Sequence, residues 1–238
     1  MRLPAVFFFA LLIAVAVACG RQVTPDPTGP SNLAGKMVIR YRTVKPMDFN
    51  NVNYLIVFNT TGNGAEPYAN GYGTTFTNYS FAFVVGAAAG GSTAAPTLLQ
   101  YYLVPGSSSG LSYRQIPVSP FTTLQVNTNG ANTEFTLTFD RAQFAIASPT
   151  APTPGPGSTP TPSATADALR YWNINFITTD RNGIPLDALG FGATDTSFAL
   201  AVDTATENDS VIPPRPAGIT PPSNLGASID GGDILNTP

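Results

Sequence analysis

Short runs of β-branched and aromatic residues, each ended by Gly, Pro or Asn, recur along most of this 238-residue chain. Some runs alternate apolar and polar residues and others are apolar throughout, but none has the 3.6-residue period of an amphipathic helix. We therefore predict an all-β fold, an antiparallel β-sandwich of the jelly-roll or Ig-like kind. The predicted strands are residues 37–44, 53–58, 79–85, 98–104, 113–118, 122–127, 133–139, 169–178 and 196–202.

Individual runs predict where these strands lie in the sandwich. Residues 53–58 are apolar almost throughout, which is typical of a strand buried on both faces. Residues 133–139 alternate, which predicts a half-buried strand, and the Asn-Gly pair that separates them from residues 122–127 predicts a hairpin. Because proline cannot donate a ladder hydrogen bond, Pro117 limits its own run to an edge strand.

A segment rich in proline and threonine interrupts the pattern. Residues 148–166 contain six prolines and no large apolar residue, so we predict an extended or disordered surface insertion. Only two clear strand runs follow it, and an isolated pair is marginally stable. We therefore predict one sandwich over residues 37–203, with a two-domain chain as the alternative. Residues 204–238 are predicted to form a polar, Pro-rich C-terminal segment outside it.

The first residues have the pattern of an export signal. Arg2 precedes an apolar run over residues 5–18, and small residues lead to Cys19, the one cysteine in the chain. Fourteen apolar residues fall short of the roughly 20 that span a bilayer. We predict a signal peptide over residues 1–18 and a flexible tether over residues 19–36. Extended, its sixteen residues 20–35 reach at most about 50 Å, so the sandwich can stand clear of a lipid surface.

The block Ala16-Val17-Ala18-Cys19-Gly20 resembles the bacterial lipobox. The resemblance implies that the Cys19 thiol carries a diacylglyceryl group and that its amine, freed by cleavage, takes a further acyl chain such as palmitate. It also implies an exported protein anchored on the extracytoplasmic side of the cell membrane or outer membrane, with the membrane as its partner. Plain secretion with a free thiol and a retained membrane anchor are the alternatives.

Composition excludes several kinds of function. The chain has no histidine, which excludes Ser-His-Asp and Cys-His nucleophile systems and the usual zinc sites. Charged residues are 11% of the chain and no basic patch is present, so we expect no nucleic-acid partner. A glycoside hydrolase based on two carboxylates remains open, although no pattern brings Glu66, Glu134 and Glu207 together. We predict no enzyme activity and no cofactor, and a binding or structural role instead.

One aromatic stretch is a candidate binding surface. Tyr68, Tyr72, Phe76 and Tyr79 lie among Asn, Gly and Thr residues, a composition that combines rigid rings with adaptable hydrogen-bonding groups. Sugars stack on such rings, so we predict a carbohydrate-binding loop here. The alternative is a long loop whose rings pack onto the sandwich.

A turn-like segment is a candidate metal site. Asp180, Asn182 and Asp187 offer oxygen ligands of the kind that Ca²⁺ prefers. The same residues also suit a hairpin turn, because Asp and Asn bond to the local backbone and Gly183 accepts positive φ. Both interpretations also apply to residues 230–233.

The order of three segments is similar to the strand succession of DOMON-like and related carbohydrate-binding β-sandwich domains. The segments are Tyr-Leu-Ile-Val-Phe at 54–58, Glu-Phe-Thr-Leu-Thr-Phe-Asp-Arg-Ala-Gln-Phe at 134–144, and Trp-Asn-Ile-Asn-Phe at 172–176 followed by Asp-Arg-Asn-Gly. The resemblance covers about residues 37–203 and implies a sandwich. It also implies a glycan or another envelope protein as a partner.

Overall fold

The computed structural model describes residues 34–70, 75–88, 93–103, 111–127, 131–147, 170–189, 200–212 and 220–238. These residues are almost all β, and a seven-residue 3-10 helix spans Arg141–Ala147. The strands are β1 (Lys36–Thr43), β2 (Val52–Asn59), β3 (Tyr68–Asn70), β4 (Thr75–Thr77), β5 (Phe81–Ala87), β6 (Ala94–Leu103), β7 (Leu111–Ile116), β8 (Thr123–Val126), β9 (Glu134–Asp140), β10 (Tyr171–Asp180), β11 (Pro185–Ala188), β12 (Leu200–Asp203), β13 (Asn208–Ile212) and β14 (Ile229–Asn236).

Two antiparallel sheets pack face to face as a β-sandwich, which confirms the predicted fold class. One sheet has the strand order β13-β14-β1-β9-β8. The other has the order β11-β10-β2-β5-β6-β7, and β12 pairs with β10 beside β11. β10 follows the Pro/Thr-rich insertion and pairs with β2, which precedes it. The strands on both sides of the insertion therefore belong to one sandwich, and the insertion itself lies outside the described residues.

Several local predictions are confirmed. β8 and β9 pair as an antiparallel hairpin at the expected place. β9 alternates between buried and half-buried positions, and β2 is buried along nearly its whole length. β7 ends at Ile116, directly before Pro117, and forms an edge of its sheet within the described residues. Each of these predictions depends on residues that are neighbours along the chain: the alternation of side chains in β9 and β2, the Asn-Gly pair before β9, and Pro117 after β7.

Aromatic rings fill the space between the sheets in two groups. In one group, Phe58 contacts Phe139 and Trp172, with ring centroids 5.7 and 6.2 Å apart. In the other, Tyr41 stacks on Phe176 with centroids 4.9 Å apart and an interplanar angle of 16°. All five rings are fully buried. Each buries a large apolar area and adds about 0.5–1.5 kcal/mol per favourable ring pair, so the two groups anchor the sheets to each other.

The sandwich extends beyond residue 203, where the sequence pattern ended it. β13 and β14 come from the segment predicted to be polar and Pro-rich, and β14 lies between β13 and β1. Asp230, Gly231, Gly232 and Asp233 resemble a turn in sequence, but they lie in β14: Gly232 and Asp233 pair with both β1 and β13, Gly231 pairs with β1, and Asp230 lies at the register shift. Gly231 and Gly232 have φ of 128° and 151°, opposite a register shift after Arg42. Only glycine adopts such values without strain, so this irregularity explains the pair.

Arg141 joins three segments at one end of the sandwich. It is buried, and its Nε and Nη2 atoms donate to the carbonyl oxygens of Gly35 (3.2 Å) and Thr237 (3.1 Å). Its Nη1 atom donates to the carbonyl oxygen of Thr204. We call this the Gly35 end. The opposite end, which we call the Asn182 end, contains residues 44–51 and the turn at residues 180–185.

Candidate functional site

The segment between β2 and β5 lies over the outer face of the seven-stranded sheet. Side-chain amides that project from this face hold the segment by its backbone. Asn59 and Asn173 donate to the carbonyl oxygen of Ala65 at 2.6 and 3.1 Å, and Asn175 donates to that of Pro67 at 2.8 Å. Because each bond joins a buried or half-buried amide to a loop carbonyl, the segment is docked rather than free.

A row of three tyrosines crosses the same face near the β7 edge. The ring centroids of Tyr79 and Tyr101 are 5.0 Å apart at 83°, and those of Tyr101 and Tyr113 are 5.7 Å apart at 49°. Tyr79 and Tyr101 are 5% and 6% exposed, whereas Tyr113 is 51% exposed. Burial raises the pKa of Tyr79 and Tyr101 well above the usual value, so both rings stay neutral and brace the exposed one.

The predicted aromatic loop is partly ordered as a hairpin, in which β3 pairs with β4. Tyr68, in β3, is half-buried, and Tyr79 is packed against Tyr101. Tyr72 lies outside the described residues, and for Phe76 only the backbone in β4 is described. The contacts of Tyr79 agree with the alternative in which the rings pack on the sandwich. Sugar binding by the loop stays a prediction.

Tyr113 was not singled out from the sequence. It comes from β7, more than thirty residues after the aromatic loop, and only the pairing of β6 with β7 brings it beside Tyr101. The sequence feature that could have indicated an exposed Tyr113 was its position in an alternating edge strand. On this face, the described side chains of β2, β5, β6, β7 and β10 are uncharged: they are Asn, Gln, Thr, Tyr and aliphatic residues.

The residues of the predicted Ca²⁺ site have partners within the fold. The Asp180 Oδ1 atom accepts from the backbone N–H groups of Asn182 and Ile184, both at 2.8 Å, as in an Asx-turn. Asp187 is buried, and its Oδ1 and Oδ2 atoms accept from the N–H groups of Ala188 and Ile229, both at 2.9 Å. These contacts support the turn interpretation. Within the described ranges, no three His, Cys, Asp or Glu side chains are grouped to hold a metal ion.

The second acidic segment, residues 230–233, is also structural. Asp230 is exposed, and Asp233 accepts from the Arg40 guanidinium at 3.3 Å on the outer face of the five-stranded sheet. Ion pairs at such exposed positions contribute about 0–1 kcal/mol. In the described structure, this segment is therefore part of β14, and it forms a surface ion pair.

Glu134 and Glu66, which a carboxylate-based hydrolase could use, lie on opposite sides of the sandwich. Glu134 is in β9 and projects from the outer face of the five-stranded sheet, because Phe135 and Phe139 occupy the inner face. Glu66 is in the segment that covers the other sheet. Since the whole sandwich separates these two carboxylates, they do not form the close pair that glycoside hydrolysis requires.

No known protein family, curated protein or solved structure matches this chain. None of the described residues form a helix long and apolar enough to cross a membrane. The chain is an all-β protein built as an antiparallel sandwich. Its outer faces differ: the five-stranded sheet presents a solvated face with an Arg40–Asp233 ion pair, whereas a docked loop covers part of the seven-stranded sheet, where Arg181 donates to Asn53 at 2.8 Å.

Proposed function

We propose that this chain is an exported lipoprotein of the bacterial cell envelope, whose β-sandwich has a non-catalytic binding or structural role. The single observation that carries the proposal is the block Ala16-Val17-Ala18-Cys19-Gly20 directly after an apolar run of fourteen residues. Attack of the Cys19 thiol on an activated diacylglyceryl donor forms a thioether and releases the donor's headgroup. Two or more acyl chains then give stable attachment, whereas a single chain is marginal.

The non-catalytic role is supported by chemistry that the chain lacks or keeps apart. It has no histidine, and Glu66 and Glu134 lie on opposite sides of the sandwich. Asp187 is used to bind backbone N–H groups between the sheets. These features favour a domain with a binding or structural role over a catalytic domain.

The anchor is tested by expression of the full chain in a bacterial host with an alkyne-tagged fatty acid. We expect the wild type to carry the label and to partition into detergent, and Cys19→Ser to lose both properties. The matched control is the double variant Cys19→Ser/Ser31→Cys, which keeps one thiol but moves it into the tether. It should remain unlabelled, because lipidation requires the thiol at the cleavage site.

Detergent partitioning of Cys19→Ser at the wild-type level would contradict the anchor. Labelling of the double variant at the wild-type level would show that any exposed thiol is acylated, which also contradicts the lipobox assignment. Loss of label with retained folding, measured by circular dichroism, is the supporting outcome.

A second candidate function is recognition of a neutral glycan. The exposed Tyr113 ring, which packs against Tyr101, favours it, because an aromatic ring supported by a buried neighbour suits stacking against a sugar. A glycan array separates the two roles. Absence of binding by the wild type would exclude glycan recognition, and binding that Tyr113→Ala leaves unchanged would show that the glycan binds away from Tyr113. Phe121→Ala, which removes another exposed aromatic ring elsewhere, is the control.

A further inference from the structure

The most exposed aromatic rings of the described residues lie at the Gly35 end. Phe121 is 69% exposed and Tyr171 is 58% exposed. The exposed large aliphatic side chains lie elsewhere: Val44 and Ile184 are at the Asn182 end, 42% and 41% exposed, and Val211 is in β13, 68% exposed. Large exposed apolar groups mark interaction sites when they are placed together on one surface. The Gly35 end is therefore a candidate contact surface.

Phe121 is linked to Gly35 through the 3-10 helix. The Oε1 atom of Gln143 accepts from the Ser119 N–H (3.3 Å) and from the Thr122 hydroxyl (3.4 Å), on the two sides of Phe121. Gln143 follows Arg141 by two residues in that helix, and Arg141 donates to the Gly35 carbonyl. The loop tip is thus fixed beside the point where β1 begins.

Tyr171 is linked to the same point from the other sheet. The Arg170 carbonyl accepts from the Thr204 N–H at 2.9 Å, and the Thr204 carbonyl accepts from Arg141. The Arg170 guanidinium lies 5.3 Å from the centre of the Tyr171 ring and forms two hydrogen bonds with Asp203, at 2.7 and 2.6 Å. These bonds lower the pKa of Asp203 and keep it ionised. A fixed ring and a fixed cation therefore stand together here.

The tether predicted from the sequence begins at this end. Sixteen residues separate Cys19 from Lys36. A flexible coil of that length has an r.m.s. end-to-end distance of about 20–24 Å, well below its full extension. β1 has eight residues, so the Asn182 end lies roughly 26 Å farther along the strand direction. An anchor at Cys19 therefore lets the Gly35 end reach the lipid surface at a shorter tether extension than the Asn182 end requires.

We propose that the Gly35 end contacts the bilayer surface, with the Phe121 and Tyr171 rings in the headgroup region. The inference rests on the proposed lipid anchor at Cys19. Tyrosine and arginine are suited to this region because each has an apolar body and a polar tip. Phenylalanine at a loop tip inserts an apolar ring. The contact is weak by itself, but the anchor makes it intramolecular and so raises its effective concentration to the millimolar range.

The test uses the full lipidated protein in phosphatidylcholine vesicles, with bromines on the acyl chains as quenchers. Phe121→Trp and Tyr171→Trp place a reporter at the Gly35 end, and Asn182→Trp places the matched control at the other end. The natural Trp172 is buried and contributes the same background to all three. We expect brominated lipid to reduce the additional emission of the first two variants and to leave that of Asn182→Trp unchanged.

Two outcomes overturn the inference while the anchor stands. One is co-sedimentation with vesicles but no quenching of either reporter at the Gly35 end. The other is quenching of Asn182→Trp as strong as that of Phe121→Trp. Failure of the wild type to co-sediment is a different result, because it refutes the anchor itself. Because Phe121 is mostly exposed, its replacement should not unfold the chain, and Tyr171→Trp gives an independent second reporter.

Discussion

Replacement of Arg141 with methionine tests how much the three hydrogen bonds of Arg141 stabilise the Gly35 end. The change keeps much of the apolar stem but removes a guanidinium that binds the carbonyls of Gly35, Thr204 and Thr237. A hydrogen bond from a charged donor contributes about 1.5–3 kcal/mol. Gly35 is half-buried, so water can replace part of the loss there. We therefore expect Arg141→Met to lower the free energy of unfolding by about 3–5 kcal/mol, similar to the loss from breaking a buried ionic interaction.

The measurement is urea unfolding followed by Trp172 fluorescence, with the midpoint and the slope fitted separately. The slope should stay unchanged if only stability is affected. Arg40→Met is the matched control, since Arg40 is exposed and forms one ion pair with Asp233 at 3.3 Å. It should cost about 0–1 kcal/mol. Arg141→Lys should fall between the two, because an ammonium group reaches fewer of the three carbonyls. Equal midpoints for Arg141→Met and Arg40→Met would refute the stabilising role of the Arg141 hydrogen bonds.

Two further predictions concern close packing and high pH. A Cβ atom at Gly226 would lie 2.5 Å from the Pro46 carbonyl oxygen, so Gly226→Ala must displace backbone and should lower the free energy of unfolding by about 1–3 kcal/mol; an unchanged melting temperature would contradict this. Burial raises the pKa of Tyr41, Tyr79 and Tyr101. The unfolded state therefore loses these protons first, so their stabilising effect is complete below about pH 10 and is lost as pH rises further. The phenolate absorbance of these buried tyrosines should rise together with the loss of the folded circular dichroism signal on alkaline titration, and titration of all tyrosines in a folded chain would contradict the prediction.

The candidate site was only partly predictable from the sequence. Tyr79 could be named because it lies in an obvious aromatic stretch, yet its burial depends on Tyr101, which comes from another strand. Asp187 was named as a candidate metal ligand because it offers carboxylate oxygens near Asp180 and Asn182 in a turn-like segment. The structure instead shows it bonded to the N–H of Ile229, a partner that no local pattern indicates.

The sequence by itself determined the β character, the half-buried face of β9, the hairpin of β8 and β9, and the edge position of the strand before Pro117. Each depends on side chains or turn residues that are neighbours along the chain. Only the tertiary structure decided that β14 is a central strand and that Tyr113 meets Tyr101. Pairing of Gly231, Gly232 and Asp233 with β1, and of Gly232 and Asp233 with β13, overrides the weak strand preference of the Asp-Gly-Gly-Asp segment. Such pairing joins residues far apart in sequence, so no window of the chain contains the information.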